Sequence, residues 1–338
     1  MSIFKCKSHD NTLEANSTEA VTDNYTEQTN SRGEAFSAET KNGEQNTVSS
    51  LTTETTHKRN ELVRKFKKKI LIIATPVVCT VIALLIIINA VIIPNKKYND
   101  ALALMNAGSI VETYEILIEL DDYKDSCEKA DSIYDSYKIE KIKVATAGDY
   151  IFFGSYEQNN NISDGKEDIE WLILEVKNGK ALIISKHALD CKQYNTVCAD
   201  VSWESCSLRK WLNNDFFNTA FSDEERAKIP TVTVSDNTNP AYNTAPGAAT
   251  QDKVFLLSIN QANKYFEADN ERICKPTDYA VARGAWENPD GNCWWWLRSP
   301  GKTQDVNTAV FGDGDIYERG DDVSNDNNAV RPALWIEL

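Results

Sequence analysis

One uninterrupted apolar run, Ile70–Ile93, dominates the hydrophobic pattern of the chain. Its 24 residues include no charged side chain, and its only uncharged polar residues are Thr75, Thr80 and Asn89. A helix of that length crosses a hydrocarbon core about 30 Å thick with some tilt. Helices of soluble proteins keep a polar face, so the run predicts a transmembrane helix over residues 70–93 with the lipid bilayer as its partner.

The flanking charges predict how this helix is oriented. Residues 58–69 form a basic juxtamembrane segment, with seven Lys and Arg against the single acid Glu61, whereas acidic sequence follows Lys96 and Lys97. Lys and Arg stay on the cytoplasmic side of a membrane, and they also attract anionic lipid headgroups. We therefore expect a single-pass plasma-membrane protein with its N-terminus in the cytoplasm and residues 94–338 outside.

Two further segments flank the membrane region. Residues 1–57 are rich in Ser and Thr and show no helical or strand period, which is typical of a disordered tail. Residues 96–140 repeat apolar side chains at helical spacing, with breaks at Gly108 and Asp121. This pattern predicts a helical stalk. It partly resembles a tetratricopeptide unit, although such units need about three repeats to stack stably.

From Gly148 the period changes to that of strands. Strands are predicted at residues 150–154, 171–176, 181–184, 294–297, 308–311, 316–317 and 333–336, with an Asn178-Gly179 hairpin turn. Helices are predicted at residues 208–217, capped by Ser207, at 276–283, and after the capping boxes Ser222/Glu225 and Ser258/Gln261. In this order of elements, strands come first, helices are inserted and strands return at the end. Such an order predicts an α+β domain over residues 148–338.

Several segments of this domain resemble a known family. The clearest are Trp295-Trp296-Leu297-Arg298-Ser299-Pro300-Gly301 and Val330-Arg331-Pro332-Ala333-Leu334-Trp335-Ile336. They resemble bacterial domain of unknown function family 6273, which occurs on secreted and membrane-anchored proteins and has no established activity. The family's ending also distantly resembles the formylglycine-generating enzymes, which implies a C-type-lectin-like fold with antiparallel strands and inserted helices.

The cysteines argue against the oxidase chemistry of those enzymes. The resemblance would require two cysteines close in sequence that bind copper, but Cys274 and Cys293 are 19 positions apart. The six cysteines after the membrane run contain no CxxC pair, so zinc is not predicted. The sequence leaves two alternatives for these cysteines, which are either free buried thiols or partners in disulfides.

Acidic residues crowd the span from Asp305 to Asp326. Such oxygen-rich loops suit Ca²⁺, and its candidate ligands are Asp313, Asp315, Asp321 and Asp322. Turns also favour Asp for local reasons, so no cofactor is predicted and Ca²⁺ is the alternative. The residues predicted to bind a ligand are Arg298, Asp313, Asp315, Arg319, Asp321 and Asp322.

Two arginines lie beside tryptophans, and each has two interpretations. Arg298 and Arg331 either brace the core, with guanidinium planes stacked on indole rings, or one of them holds a ligand carboxylate. Arginine is seldom buried without a partner, so the bracing role is favoured. The three consecutive tryptophans 294–296 project to alternate faces of their predicted strand, so at least one of those faces must be buried.

Long polar loops at residues 157–168, 235–252 and 299–328 of the predicted α+β domain favour recognition over catalysis, because binding usually resides on loops of a rigid scaffold. A formal net charge of −15 disfavours nucleic acid as a partner. We expect a non-enzymatic extracellular binding module for a glycan, a peptide or a protein. The alternative is an enzyme, either related to the formylglycine-generating class or a cell-wall hydrolase. For a hydrolase, His187 lies between Ser185 and Asp190, but geometry and not sequence proximity defines a triad.

Overall fold

The computed structural model describes residues 59, 61, 62, 64, 65, 67, 80–235 and 237–338. The predicted tail 1–57 and the first ten residues of the apolar run lie outside this set. Contacts within the chain divide it into two units. The large unit contains residues 108–114 and 130–338, and the small unit contains residues 115–129 with the described residues up to Ala107.

The first long helix, α1, runs from Thr80 to Ala107 and includes a π-helical turn at Ile88–Ile92. Within the part of the chain that is described, it is the one helix long and apolar enough to cross a membrane. None of its most apolar window is buried in protein. Gly108 follows α1 with a φ of 79°, a conformation that favours glycine, so the predicted helix end is confirmed.

Two more helices follow, α2 (Ile110–Glu119) and α3 (Ser126–Val144). Within the small unit, the ammonium of Lys124 lies 4.4 Å from the ring centroid of Tyr98. Within the large unit, the Tyr134 hydroxyl and the Lys138 ammonium of α3 donate to the Asp168 carboxylate at 2.9 and 3.1 Å. The second half of α3 is thereby fixed to the strands of the large unit.

The large unit is built from two five-stranded sheets and a two-stranded sheet. The strands are β1 (Tyr150–Tyr156), β2 (Glu167–Lys177), β3 (Lys180–Ser185), β4 (Asp190–Cys191), β5 (Val232–Val234), β6 (Thr250–Asp252), β7 (Val254–Phe255), β8 (Trp295–Pro300), β9 (Val306–Val310), β10 (Ile316–Asp322), β11 (Ala329–Val330) and β12 (Ala333–Glu337). The first sheet has the order β1-β2-β3-β12-β7 and the second β10-β9-β8-β11-β4, while β5 pairs with β6. All pairs are antiparallel except β8 with β11.

The helices of the large unit are inserted between these strands, as an α+β fold requires. Helix α4 begins as Ser207–Trp211, passes through a π-helical turn at Leu212–Phe216 and ends as Phe217–Ala220. The others are α5 (Asp223–Ala227), α6 (Ile259–Tyr265), α7 (Asp269–Arg272) and α8 (Asp278–Ala282). Both predicted capping boxes are present, at Ser222/Glu225 and at Ser258/Gln261.

The hairpin between β2 and β3 forms where the sequence placed it. Asn178 and Gly179 have φ values of 54° and 72°, and the flanking residues Lys177 and Lys180 are paired. Positive φ at both central positions is the mark of a type I′ turn, whose twist matches that of the strands. The prediction from Asn-Gly is confirmed.

The predicted cap of α4 was wrong by one residue. Cys206, not Ser207, is the N-cap, and its sulfur accepts the Arg209 main-chain N–H at 3.3 Å. Ser207 is already helical, and its hydroxyl accepts the main-chain N–H of Thr196 at 3.0 Å. Cys206 is fully buried, so the sulfur can satisfy a helix N–H in a place that admits no water.

The tryptophan strand also differs from its prediction. Strand β8 starts at Trp295, leaving Trp294 outside it, and both Trp295 and Trp296 are fully buried. Successive side chains of a strand point to opposite faces, so both faces of β8 are covered. The core therefore occupies both sides of the second sheet, where the sequence required only one.

Candidate functional site

A cleft of about 550 Å³ lies within the large unit. Its walls come from the segment after β4, the start of α4, the end of α8 and the loop between β10 and β11. The polar and aromatic side chains that line it are Lys192, Gln193, Ser207, Trp211, Arg283 and Asp326, together with Thr196. Clefts of this size that combine an aromatic ring with a few polar groups are the usual form of a ligand site.

The first wall places a cation on an indole ring. Lys192 directly follows β4, and its ammonium lies 4.6 Å from the ring centroid of Trp211. The same ammonium is 3.8 Å from the carboxylate of Asp190, which is buried and accepts the Tyr156 hydroxyl at 2.7 Å. Burial and the Asp190 carboxylate raise the pKa of Tyr156, so this hydroxyl remains a donor. Lys192 is thus held beside Trp211.

The segments after α8 and between β10 and β11 bring a second cation and an acid to the lining. Arg283 follows the last residue of α8, a helix capped by Thr277, whose hydroxyl accepts the Ala280 N–H at 3.1 Å. Asp326 is fixed through its main chain, because its carbonyl accepts the Cys191 thiol at 3.1 Å. Both Arg283 and Asp326 are exposed. They supply groups of opposite charge that a ligand can contact.

The thiol in the cleft is not suited to attack a substrate. Cys191 is buried, and burial together with the Asp190 and Asp326 carboxylates raises the pKa of its thiol to about 12. The nucleophile of cysteine chemistry is the thiolate, which is scarce at neutral pH when the pKa is that high. The groups of the cleft therefore suit binding better than covalent catalysis.

A line of aromatic rings, here called the aromatic row, extends from the edge of the cleft. It consists of Trp286, Trp294, Phe311 and Tyr317, whose successive ring centroids are 5.2, 4.4 and 4.7 Å apart. The Trp286 main-chain N–H donates to the carbonyl of Asn327 at 3.0 Å, one residue after Asp326 of the cleft. Trp286 is 41% exposed, so the row is open to a ligand at the end nearest the cleft.

The two arginines singled out in the sequence lie in the core. Arg298 is 3% exposed and donates to the carbonyls of Leu256 and Ser235, each at 2.7 Å. Arg331 is 4% exposed, its guanidinium carbon lies 5.0 Å from the Trp295 ring, and its Nε donates to the Ser185 carbonyl at 2.9 Å. Both make the contacts expected of core braces, and neither lines the cleft.

The four predicted calcium ligands and Arg319 also do not line the cleft. Asp313 accepts the main-chain N–H of Asp315 at 3.2 Å, and Asp322 accepts that of Ser324 at 2.8 Å. Asp321 accepts the side-chain amides of Asn325 and Asn328 at 2.6 and 3.0 Å. These are turn contacts within their own loops. Arg319 is exposed on β10, where its carbonyl accepts the Lys302 N–H at 2.7 Å.

Calcium should leave the melting midpoint of the protein unchanged, because these aspartates serve turns and do not converge. In the described ranges, the one trio of acidic, Cys or His ligand atoms within 4.8 Å of one another is Asp121, Asp122 and Cys127, in the small unit. An ion that binds the folded protein, at a free concentration 100 times its dissociation constant, would add about 2.7 kcal/mol to the free energy of unfolding. Melting curves with calcium, with magnesium and with a chelator measure this, and a calcium-specific rise would contradict the prediction.

The three residues proposed for a hydrolase are not joined as a triad. The Ser185 hydroxyl donates to the main-chain carbonyl of His187 at 2.7 Å, and the Asp190 carboxylate accepts the Tyr156 hydroxyl. Burial, followed by the charge of Lys186, lowers the pKa of His187. The imidazole is thereby neutral at neutral pH, but no hydrogen bond links it to the Ser185 hydroxyl or to Asp190 among the contacts found in the described chain.

Sequence reasoning missed the residues that form the cleft. Trp211 falls within the helix predicted at residues 208–217 but was not predicted as a site residue, and neither were Lys192, Arg283 and Asp326. Trp286 and Trp294 carried one usable signal, since both lie outside the buried strand in a loop rich in polar residues. Aromatic residues in such loops are common at binding sites.

Comparison with known proteins supports one part of the resemblance. Residues 178–338 match the family described as Domain of unknown function (DUF6273), and this range contains the cleft and the aromatic row. A search of curated proteins and a search of solved structures each found no match. The comparisons therefore support the family of unknown function and do not show the resemblance to the formylglycine-generating enzymes.

Proposed function

We propose that this chain is a single-pass membrane protein whose outer domain binds a glycan carrying carboxylate groups, without converting it. The observation that carries the proposal is the cleft lined by Arg283 and by Lys192 over the Trp211 ring, continued by the aromatic row. The apolar run and the basic segment before it support membrane anchoring with the domain outside. We also propose that the α+β domain is a distant variant of the C-type-lectin-like fold.

The aromatic row favours a sugar over the other ligands considered. Sugar rings have apolar faces of C–H groups that pack on aromatic rings, and burying such faces removes apolar area from water. Several rings in sequence suit an extended ligand made of repeated rings better than a single compact one. The hydroxyl of Ser207 and the amide of Gln193 at the cleft offer the hydrogen-bond partners that sugar hydroxyls need.

The cations of the cleft favour an acidic ligand. Lys192 and Arg283 line the cleft together with the single acid Asp326, so the cleft offers two cations on a chain whose formal net charge is −15. Charge-assisted hydrogen bonds from such groups to a carboxylate are about twice as strong as neutral ones. An acidic glycan suits both features of the site, because its carboxylates can contact the cations of the cleft and its sugar rings can pack on the aromatic row.

Binding of fluorescent acidic cell-wall glycan fragments to intact cells that produce the full chain tests the proposal. We expect Trp286→Ala to weaken binding roughly 30-fold, since truncating a central aromatic anchor costs about 2 kcal/mol. Arg283→Gln should weaken it about tenfold, the loss of one charge-assisted contact. The matched controls are Tyr242→Ala, which removes a ring with the same 41% exposure, and Lys228→Gln, which removes an exposed cation elsewhere.

Each part of the proposal has its own contrary outcome. If all four variants bound the glycan fragments with equal affinity, the cleft and the aromatic row would not be the binding site. Competition by peptides but not by glycan fragments would overturn the ligand class. Signal that appears only after the cells are made permeable would overturn the orientation while leaving the binding intact. Release of shortened glycan would replace the binding module by an enzyme.

A further inference from the structure

Two cysteines meet in the core of the large unit, away from the cleft. Cys274 and Cys293 are 2% and 0% exposed. The main-chain N–H of Cys293 donates to the carbonyl of Cys274 at 2.8 Å, and the Cys293 thiol approaches the same carbonyl at 3.4 Å. The side chains of Cys274 and Cys293 contact each other. The Cys274 thiol also approaches the carbonyls of Lys186 and Lys275 at 3.6 and 3.5 Å. The two cysteines form a pair, whereas Cys206, equally buried, instead caps a helix.

The backbones of the two cysteines are adjacent. One main-chain hydrogen bond of 2.8 Å joins them, from the N–H of Cys293 to the carbonyl of Cys274. A disulfide accepts Cα separations of about 4.4–6.8 Å, with both Cβ atoms pointing toward each other. Because the two side chains already approach one another, an S–S bond requires a change of side-chain torsions and no large movement of the chain.

A fixed positive charge makes the pair unequal. Arg331 is 4% exposed and stacks on Trp295. Burial by itself raises the pKa of Cys274, but the hydrogen bond with Cys293 and the charge of Arg331 outweigh it and lower that pKa to about 7. The hydrogen bond to Cys274 and then burial raise the pKa of Cys293. Of the two sulfurs, Cys274 is thus the one that loses its proton more readily, while Cys293 stays a thiol.

We propose that Cys274 and Cys293 form an intramolecular disulfide by exchange with a small-molecule disulfide, and that this bond fixes the wall of the cleft carrying Arg283. The Cys274 thiolate attacks one sulfur of the small disulfide, which breaks its S–S bond and releases one thiolate. Cys293 then loses its proton and attacks Cys274 sulfur in the mixed disulfide, releasing the second small thiol. Two protein thiols are oxidised, and one small disulfide is reduced to two thiols.

The position of the bond gives it a consequence for the ligand site. The segment between the two cysteines contains α8, Arg283 of the cleft and Trp286 of the aromatic row. Closing a loop restricts the unfolded chain and opposes local opening of the segment it encloses. The chemistry of the bond is independent of the proposed glycan binding, so either can fail without the other.

The test uses the purified full chain in detergent with oxidised glutathione. Urea below the unfolding midpoint gives the buried thiols transient access, and dilution of the urea follows. We expect peptide mapping to find the 274–293 cross-link. The oxidised protein should melt roughly 5–10 °C higher than the reduced one, the shift that closing a loop of about 20 residues gives in a domain of this size. Amide exchange over residues 278–292 should be slower in the oxidised form.

The variants separate this bond from other thiol reactions. Cys274→Ser and Cys293→Ser should each lose the cross-link and the shift, whereas Cys206→Ser should keep both. The comparison of oxidised with reduced wild-type protein needs no substitution, so a variant that folds poorly does not prevent a result. Thiols that remain free, glutathione on both cysteines or cross-links to Cys206 would overturn the proposal. A cross-link without slower exchange would overturn its effect on the cleft wall.

Discussion

Gly314→Ala should lower the stability of the large unit by about 3–5 kcal/mol, the upper range for a single substitution. Gly314 lies in the turn between β9 and β10 with a φ of 89°. A Cβ atom there would lie 1.7 Å from the main-chain carbonyl oxygen of Asp269. That oxygen belongs to the first residue of α7 and cannot turn aside as a side chain could. The turn and α7 would have to separate, which breaks the 2.8 Å hydrogen bond from Arg272 Nε to the Gly314 carbonyl.

Gly165→Ala is the matched control for this variant. Gly165 also has a positive φ, 104°, but a Cβ there meets no atom within 4 Å. Its substitution measures the conformational cost alone, about 1–2 kcal/mol for an L-residue in the left-handed region. Equilibrium unfolding in urea, followed by tryptophan fluorescence, gives both values. Equal losses for the two variants would contradict the clash with Asp269.

Asp252→Asn should cost about 3–5 kcal/mol, the penalty for breaking a buried ion pair by removing one partner. Asp252 is 1% exposed and accepts hydrogen bonds from Trp203 Nε1 at 2.9 Å and Arg209 Nε at 2.6 Å. The Thr250 hydroxyl donates to the same carboxylate at 2.5 Å. An asparagine has one acceptor oxygen where the carboxylate has two, and its NH₂ would face a donor. Arg209 would also lose its counter-charge.

An exposed pair of the same chemical type provides the comparison. Asp223 pairs with Arg226 one turn away on α5, and its side chain is 94% exposed. Exposed pairs contribute little because water screens them, so Asp223→Asn should leave the urea midpoint nearly unchanged. A large loss for Asp223→Asn, or none for Asp252→Asn, would show that burial does not decide the contribution of these pairs.

The elements that the sequence predicted well depend on neighbours close in the chain. The Asn178-Gly179 turn, both capping boxes and the end of α1 at Gly108 are each set by a few consecutive residues. Strand periods are equally local, and they placed most strands within a few residues. The cap of α4 was misplaced because serine is the better general cap, and only the buried position of Cys206 makes its sulfur the acceptor.

The cleft could not be predicted in the same way. Lys192, Trp211, Arg283 and Asp326 come from four separate segments and meet only after the sheets have formed. The pattern around Arg298 showed a cation beside tryptophans, which fits a core brace and a ligand contact equally well. Arg298 is a core brace because it donates to the carbonyls of Leu256 and Ser235. No local sequence pattern reveals that these two residues lie close to it. Most of the fold was therefore predictable, and the site was not.

The place of the last strand sets the order in which the domain can be completed during synthesis. Strand β12 lies inside the first sheet, with β3 on one side and β7 on the other. Until it arrives, the β1-β2-β3 meander and β7 have no partner that joins them. Residues 333–337 must therefore leave the ribosome before this sheet can close. A stop codon just before residue 333 would leave two open strand edges, so it should be as damaging as one much earlier in the gene.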